Sequence, residues 1–375
     1  MSRKNINNMI DKIYPYIHKI IKKTFSYLTL PQQKSLALTI SAFFDPPSFS
    51  LYNIASKLPL DTSNRHKHKH LLRFLDKLLI NDDFWKSYIT TIFLLPHITS
   101  RKKFLTLLID ATTLKDDVWI LSASISYENR AVPIYMELWE GVNQKYDYWA
   151  RVIGFVRNMR KYLPDKFSYV IIADRGFQGE RLPKEFKKLK LDYIIRIGEN
   201  YHIKTKNGEE WRELSLLDDG KYNEVVLGKT NSIEGVNVIV SSIKDAENKK
   251  HLKWYLMSSI KDMEKEEVVG LYAKRMWIEE SFKDLKGKLR WEEYTEKLPK
   301  FDRIKKMVII SGLSYGIQLS LGSSKQVVEQ RSKGESIIRG LQNALNGVSV
   351  KVHKIMSIFL MVFIMKYQYI DRIFN

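Results

Sequence analysis

The chain has 375 residues, 44% of them hydrophobic, and carries 62 Lys and Arg against 42 Asp and Glu, a formal net charge of +20. The length predicts two or three structural units, and so large a basic surplus favours a polyanionic partner such as nucleic acid. The absence of cysteine excludes disulfide bonds, thiolate catalysis and cysteine-based zinc sites.

Two observations argue against membrane insertion or export. Lysines interrupt the N-terminal segment where a signal peptide would have its apolar core. The most apolar run, residues 355–365, is shorter than the ~20 residues that a membrane span needs, and it indicates a buried helix. We therefore expect a soluble, intracellular protein with no membrane partner.

Residues 1–100 have helical periodicity, with apolar residues such as Leu36 and Ile40 four positions apart. Ser63 or Asn64 can cap a helix whose leucines lie on one side. A short helix, a proline-containing turn and this basic helix are compatible with a helix-turn-helix DNA reader. Three-helix packing without DNA fits the same pattern equally well.

The basic helix contains the sequence RHKHKH. His66 and His70 have the i, i+4 spacing of helical zinc ligands, but no HExxH pattern or cysteine accompanies them. We interpret this face as a phosphate-facing surface, with a zinc site as the alternative.

From residue 104 the pattern indicates strands. Three runs of β-forming residues come first, and a helix over 146–163, a strand before Asp174, a helix over 181–190 and a strand from Asp192 follow. A three-strand meander followed by helical crossovers predicts an α/β fold with a mixed sheet. Residues 199–260 then read as a β-rich insertion, and residues 299–375 as helical.

Two aspartates follow apolar strand sequences in the same way. Asp110 closes LLID and Asp174 closes IIAD. If the two strands are neighbours, their carboxylates lie close together at the sheet rim, where they need a cation such as Mg²⁺ between them. Each has a simpler interpretation, Asp110 as a turn residue and Asp174 as an ion-pair partner of Arg175.

A single helix is predicted over residues 272–286. Tyr272, Arg275, Glu279 and Lys286 lie at offsets 0, +3, +7 and +14, so they share an arc of about 60°. Such a line can hold phosphates and offer a third carboxylate, Glu279, to a two-metal site. The alternative is a solvated charged face with i, i+4 pairs.

These residues resemble the DDE transposases of bacterial insertion sequences, in particular the IS-four group that includes the transposon-five transposase. The group has the motif Y-x2-R-x3-E-x6-K, which Tyr272, Arg275, Glu279 and Lys286 match without a gap. The D-x-T sequence at Asp110, the D-R pair at Asp174 and a β-rich insertion before the glutamate helix also match. The resemblance covers about residues 105–295.

The resemblance implies an RNase H-like core and a cut-and-paste reaction. Asp110, Asp174 and Glu279 would be the catalytic residues and would bind two Mg²⁺ ions, with Mn²⁺ as a substitute. Tyr272, Arg275, Lys286 and Arg175 would contact DNA, and Trp254 would stack on a flipped base. The DNA partners would be the terminal inverted repeats and the target, bound by a homodimer in the prokaryotic cytoplasm, on the nucleoid.

The implied organisation has five parts. They are a helical DNA-binding region (1–100), a first part of the RNase H-like core (101–198), a β-rich insertion (199–260), the glutamate helix (261–298) and a helical C-terminal region suited to dimerisation (299–375). An inactive or domesticated transposase that only binds DNA, and an RNase H-like two-metal nuclease, are the alternatives. All three acids and the Tyr-Arg-Glu-Lys line favour the active transposase.

Overall fold

The structure is a computed structural model. It describes residues 3–46, 48–96, 104–115, 118–141, 148–205, 208, 210–244, 251–294, 301–323, 325–328, 337–345 and 349–374. Two of the expected part boundaries, 100/101 and 298/299, lie outside these residues.

Five helices form the N-terminal part, as the periodicity predicts. Polar side chains begin three of them, because the hydroxyl of Ser50, the hydroxyl of Ser63 and the amide oxygen of Asn81 each accept a backbone N–H of the first turn. The helices are α1 (Arg3–Thr24), α2 (Leu30–Ala42), α3 (Leu51–Ser56), α4 (Asn64–Lys77) and α5 (Asp82–Leu94).

One ten-stranded mixed sheet forms the centre of the described chain, which confirms the α/β prediction. Its spatial order is β3-β2-β1-β4-β5-β10-β9-β8-β6-β7. The strands are β1 (Phe104–Leu114), β2 (Val118–Tyr127), β3 (Arg130–Glu140), β4 (Ser168–Ala173), β5 (Asp192–Arg196), β6 (His202–Lys204), β7 (Arg212–Glu213), β8 (Gly220–Leu227), β9 (Ile233–Lys244) and β10 (His251–Ser258).

The connections follow the predicted order. Strands β1, β2 and β3 form an antiparallel meander, and α6 (Tyr148–Tyr162) then crosses to β4, which pairs parallel with β1. Helix α7 (Arg181–Lys188) makes the second crossover, to β5, which is parallel to β4. This arrangement places the carboxyl ends of β4 and β5 at one edge of the sheet.

The β-rich stretch 199–260 extends the central sheet. Strand β10 pairs antiparallel with β5, through Leu256 opposite Arg196 and Ser258 opposite Ile194. Strands β9 and β8 continue outward from β10. This stretch therefore belongs to the same hydrogen-bonded sheet as β1–β5.

The remaining helices are α8 (Lys265–Ala273), α9 (Met276–Gly287), α10 (Phe301–Gly322), α11 (Lys325–Val328), α12 (Ile337–Leu345) and α13 (Ser349–Phe374). Helix α10 is buried along most of its length. It packs closely on β3, because a Cβ at Gly312 or Gly316 would meet the side chain of Met136 or Val132 at 2.6 or 2.7 Å.

Helix α10 also joins the N-terminal helices to the sheet. The hydroxyl of Ser314 donates to the carbonyl of Ile40 at 2.9 Å, and the amide of Gln318 donates to the carbonyl of Phe43 at 3.1 Å.

The predicted burial of residues 355–365 is confirmed for one face of α13. On the other face, the side chains of Met361 and Met365 are more than half exposed. In the described part of the chain, no helix has the length and apolar character to cross a membrane.

Candidate active site

The two aspartates lie side by side at one edge of the parallel strands. The pairing of β1 with β4 ends at Ile109 opposite Ala173. The residues that follow these two are Asp110 and Asp174. The expected proximity of the strands is therefore confirmed. The side chain of Asp110 is only 16% exposed.

The prediction that Asp110 ends its strand is wrong. Strand β1 continues to Leu114, because β2 goes on pairing with it from Asp110 opposite Ser122 to Leu114 opposite Val118. Among the described residues, Asp110 has no strand neighbour on the β4 side, because β4 stops at Ala173. It is still paired with β2 on the other side, so it lies in a strand, and the interpretation of Asp110 as a turn residue is wrong.

Backbone groups orient both carboxylates. Asp110 Oδ1 accepts the N–H of Ala111 at 2.8 Å, and Asp174 Oδ1 accepts the N–H of Gly176 at 2.8 Å, which starts the 3₁₀ turn Arg175–Phe177. A Cβ at Gly176 would lie 3.0 Å from that same carboxylate oxygen, so glycine gives the turn its room. Asp174 thus caps a turn, and Arg175 is exposed beside it.

The electrostatics at Asp110 favour a bound cation. Burial raises the pKa of Asp110 to about 6, the N–H of Ala111 and the charge of Arg275 oppose the rise, and the charges of Asp174 and Glu279 add to it. A desolvated carboxylate with two acidic neighbours is stabilised by positive charge brought between them.

The prediction of one helix over residues 272–286 is wrong at Lys274 and Arg275. Helix α8 ends at Ala273 and α9 begins at Met276, and i→i+3 bonds such as Arg275 N–H to Tyr272 O (2.8 Å) join them. The break lets α8 pack on β5 and β9 while α9 packs on β1, β2 and β3. Tyr272 and Glu279 therefore lie on different helices.

Arg275 bridges two of the three predicted acids. Its guanidinium forms an ion pair with Glu279 and a second one with Asp110 Oδ2 at 3.5 Å. The side chain of Arg275 is 15% exposed and that of Glu279 is 34% exposed. Within the described ranges, no three acidic or histidine side chains converge on a single point suited to a metal ion.

Tyr272 and Trp254 form one aromatic pair. Their ring centroids are 4.9 Å apart and their planes are nearly perpendicular, at 79°. Tyr272 is 2% exposed, and burial raises its pKa to about 12, against the opposing charges of Arg275 and Arg196. Its hydroxyl is buried and makes no hydrogen bond among the described residues.

Lys286 lies in the last turn of α9, seven residues or about two turns after Glu279, and therefore on the same side of the helix. The structure thus brings Asp110, Asp174, Glu279 and Arg275 into one cluster. Tyr272 and Trp254 lie beside this cluster, and Lys286 lies farther along α9.

Sequence reasoning missed two residues at this edge. Arg196 ends β5 directly beside β4, since Ala173 pairs with Ile195, and its charge acts on Tyr272. Tyr148 begins α6, and burial together with the charges of Asp174 and Asp110 raises its pKa to about 12. The aspartates were selected because they follow strands whose carboxyl ends lie at one edge of the sheet. The same reasoning, applied to β5, selects Arg196. No comparable sequence pattern indicates Tyr148.

The histidines of α4 take part in local hydrogen bonds with hydroxyls. His70 Nε2 lies 3.1 Å from the hydroxyl of Ser35, and His66 Nδ1 lies 2.9 Å from the hydroxyl of Ser63. The two imidazole rings thus have different hydrogen-bond partners. We continue to interpret the exposed Lys and Arg residues of α4 as a phosphate-facing surface. These residues are Arg65, Lys69, Arg73 and Lys77.

Comparison with known proteins agrees with the geometry. Residues 149–315 match the family model described as "Transposase DDE domain", a range that contains Asp174 and Glu279 and begins after Asp110. The chain is 26% identical over 157 residues to the "Probable transposase for insertion sequence element IS701" from Microchaete diplosiphon. That alignment covers 38% of this chain and 40% of the relative, so the similarity spans less than half of either protein. The resemblance seen in the sequence is thereby confirmed for residues 149–315, which are similar to a transposase DDE domain.

Proposed function

We propose that this protein is an active transposase that moves an insertion sequence by a cut-and-paste reaction. The observation that carries the proposal is the adjacency of Asp110 and Asp174, with Glu279 linked to Asp110 through Arg275. The proposed reaction is hydrolysis of a phosphodiester bond at each end of the element, which frees a 3′-OH. This 3′-OH then attacks a phosphodiester bond of the target DNA, so that the element is joined to the target's 5′-phosphate and the target's own 3′-OH is released. The products of the cleavage assay described below show whether a hairpin forms at the element's end.

The donor set fits Mg²⁺, with Mn²⁺ as a substitute. Carboxylate oxygens are the ligands that Mg²⁺ prefers, and the buried Asp110 beside Asp174 and Glu279 gives the cluster a need for positive charge. A pair of divalent ions supplies activation of the attacking oxygen and stabilisation of the leaving one. Asp110, Asp174 and Glu279 would hold the ions, and Glu279 must first leave its ion pair with Arg275.

The cations around the acids would hold the DNA backbone. Arg275 has a planar guanidinium that can bind a phosphate through two hydrogen bonds, and in this structure it uses that capacity on two carboxylates. A phosphate near the cleavage point would compete for Arg275 and release the acids. We assign the same phosphate-holding role to Lys286, Arg175 and Arg196, and we place the hydroxyl of Tyr272 against a phosphate oxygen.

We propose that Trp254 stacks on an unpaired base near the cleaved end. The partly buried indole packs against Tyr272, so a base that stacks on Trp254 would lie beside the residues that hold the phosphates. Base–aromatic stacking is worth ~1–3 kcal/mol per base. We expect Trp254→Ala to abolish most of the fluorescence change of a 2-aminopurine placed at the terminal bases, and Trp254→Phe to keep part of it. An unchanged signal in Trp254→Ala would assign Trp254 to packing alone.

The N-terminal helices are the proposed reader of the terminal repeats. Helix α4 presents Arg65, Lys69 and Arg73 at i, i+4 and i+8 on its exposed side, and such a stripe of positive charge can bind a phosphate backbone. Two ends must be brought together before transfer, so we propose a homodimer on DNA, with residues 299–375 as the dimerisation region. Its place of action would be the bacterial cytoplasm, on the nucleoid.

A cleavage assay tests the proposed function. Purified protein is mixed with DNA that carries the inverted repeats flanking its own gene, in the presence of Mg²⁺, Mn²⁺ or EDTA. We expect nicking at the repeat boundary that needs a divalent metal and is absent in Asp110→Ala, because Asp110 is one of the three proposed metal-binding carboxylates and its side chain is only 16% exposed.

Two outcomes would contradict the proposal. Binding of the repeats without cleavage in either metal would favour an inactive transposase that acts as a DNA-binding protein. Metal-dependent cutting that ignores the repeat boundary would favour an RNase H-like nuclease.

A further inference from the structure

Two hydrogen bonds connect α9, the helix that carries Glu279, to the first residues of the edge strand β3. The backbone N–H of Ala131 donates to the hydroxyl of Ser281 at 2.7 Å, and Arg130 Nε donates to Asp284 Oδ2 at 2.7 Å. Strand β3 has β2 as its strand neighbour in the sheet, so Ser281 takes an N–H on the open side of that edge. The helix is thereby tied to the backbone as well as to a side chain of β3.

The carboxylate of Asp284 is buried and has a second hydrogen-bond partner. Its side chain is 9% exposed, and the hydroxyl of Tyr315 in α10 donates to the same oxygen at 3.2 Å. Tyr315 is fully buried, and burial together with the charge of Asp284 raises its pKa well above the usual range. Asp284 therefore joins α9 to β3 and to the buried helix α10 at one point.

The hydrogen bonds of Asp284 require one particular orientation of α9 relative to β3 and α10. A buried ion pair gives little stability over apolar packing of the same shape, but its hydrogen bonds accept only one arrangement of the partners. Arg130 binds through Nε, and its Nη1 donates to the carbonyl of Asn129 at 2.9 Å, which fixes the plane of the guanidinium. Rotation or sliding of α9 would break these bonds, whereas an apolar contact would tolerate a small shift.

The two contacts determine which way Glu279 points. At about 100° per residue, Ser281 and Asp284 lie about 200° and about 140° round the helix from Glu279. The fastened side of α9 is thus roughly opposite the side that carries Glu279. A rotation of the helix by one residue would turn Glu279 away from Asp110.

We propose that Arg130, Asp284 and Tyr315 form a positioning unit that sets the rotation of α9 and so directs Glu279 to the metal-binding acids. These residues act through Glu279 and touch neither DNA nor metal. The inference rests on the proposed function, and it assigns to Asp284 a role distinct from the four residues of the Tyr-Arg-Glu-Lys line. It explains why a buried carboxylate lies on the same short helix as a catalytic one.

The test measures metal binding and cleavage separately. Wild type is compared with Asp284→Asn, Tyr315→Phe and the triple variant Arg130→Met, Asp284→Leu, Tyr315→Phe, which replaces the polar unit with apolar side chains. Binding of Mn²⁺ to the protein on pre-cleaved ends is followed by electron paramagnetic resonance, and cleavage is followed on uncleaved ends. Glu185→Gln serves as a control, because Glu185 is a buried carboxylate paired with Arg157 between α6 and α7.

We expect the triple variant to fold, to bind the repeats like wild type, and to lose about 10–100-fold in Mn²⁺ affinity and in cleavage rate, with the rate partly restored at high Mn²⁺. Tyr315→Phe should show a smaller loss of the same kind, and Glu185→Gln none. A folded triple variant with wild-type Mn²⁺ binding and cleavage would overturn the inference. Absence of cleavage by wild type itself would instead overturn the proposed function.

Discussion

Glu279→Gln is expected to abolish cleavage, by at least about 10³-fold, while binding of the uncleaved terminal repeats is retained. Glutamine keeps the size of the side chain but removes the negative charge that would hold a metal ion beside Asp110. Repeat binding depends mainly on the basic surfaces, which this change leaves intact. Mobility-shift and cleavage assays on the same protein preparation separate the two properties.

Glu266→Gln is the matched control. Glu266 lies exposed in the first turn of α8, so its loss should leave cleavage near the wild-type level. Loss of repeat binding by a folded Glu279→Gln protein would make Glu279 a structural residue. Normal cleavage would mean that the third acid of the site is a different residue.

Arg275→Ala is expected to have two opposite effects. Metal affinity of the DNA-free protein should rise about tenfold or more, because a positive charge in contact with Asp110 and Glu279 no longer competes with the metal. Affinity for DNA ends should fall, and the slope of log affinity against log salt should become shallower by about 1, since one phosphate contact is lost. Both quantities are measured on one variant, by Mn²⁺ titration and by end binding across a salt series.

Two further variants make this test sharper. Arg275→Lys keeps the charge without the planar fork, so it should resemble wild type in Mn²⁺ binding and lie between wild type and alanine in end binding. Arg157→Ala removes an arginine that lies on α6 and pairs with Glu185, and should change neither quantity. An unchanged salt slope in Arg275→Ala would exclude the phosphate contact, and unchanged Mn²⁺ affinity would exclude competition at the acids.

Much of this architecture could be predicted because the local patterns are strong. The apolar runs before Asp110 and Asp174 gave two strands, and the rule for sheet rims put the acids together. The helix break at Lys274 and Arg275 could not be predicted, because both residues are good helix formers and neither glycine nor proline marks the site. Its origin is the packing of α8 and α9 on different strands.

Other features depend on residues far apart in the chain. Asp110 lies inside β1 because β2 extends past the end of β4, which the sequence of β1 alone does not encode. The unit of Arg130, Asp284 and Tyr315 joins residues separated by 154 and 31 positions. Periodicity describes neighbours along the chain, so contacts of this kind become visible only when the sheet has been assembled.

The pairing of β10 with β5 has a consequence for how this protein can be engineered. An unpaired strand edge is a template for association with other chains, and here β10 covers the open side of β5. A shortened protein without residues 199–260 would therefore expose that edge and lose Trp254 at the same time. Any exchange of this stretch with that of a relative has to restore the β5–β10 ladder, so the junction to be preserved is a row of hydrogen bonds rather than a flexible linker.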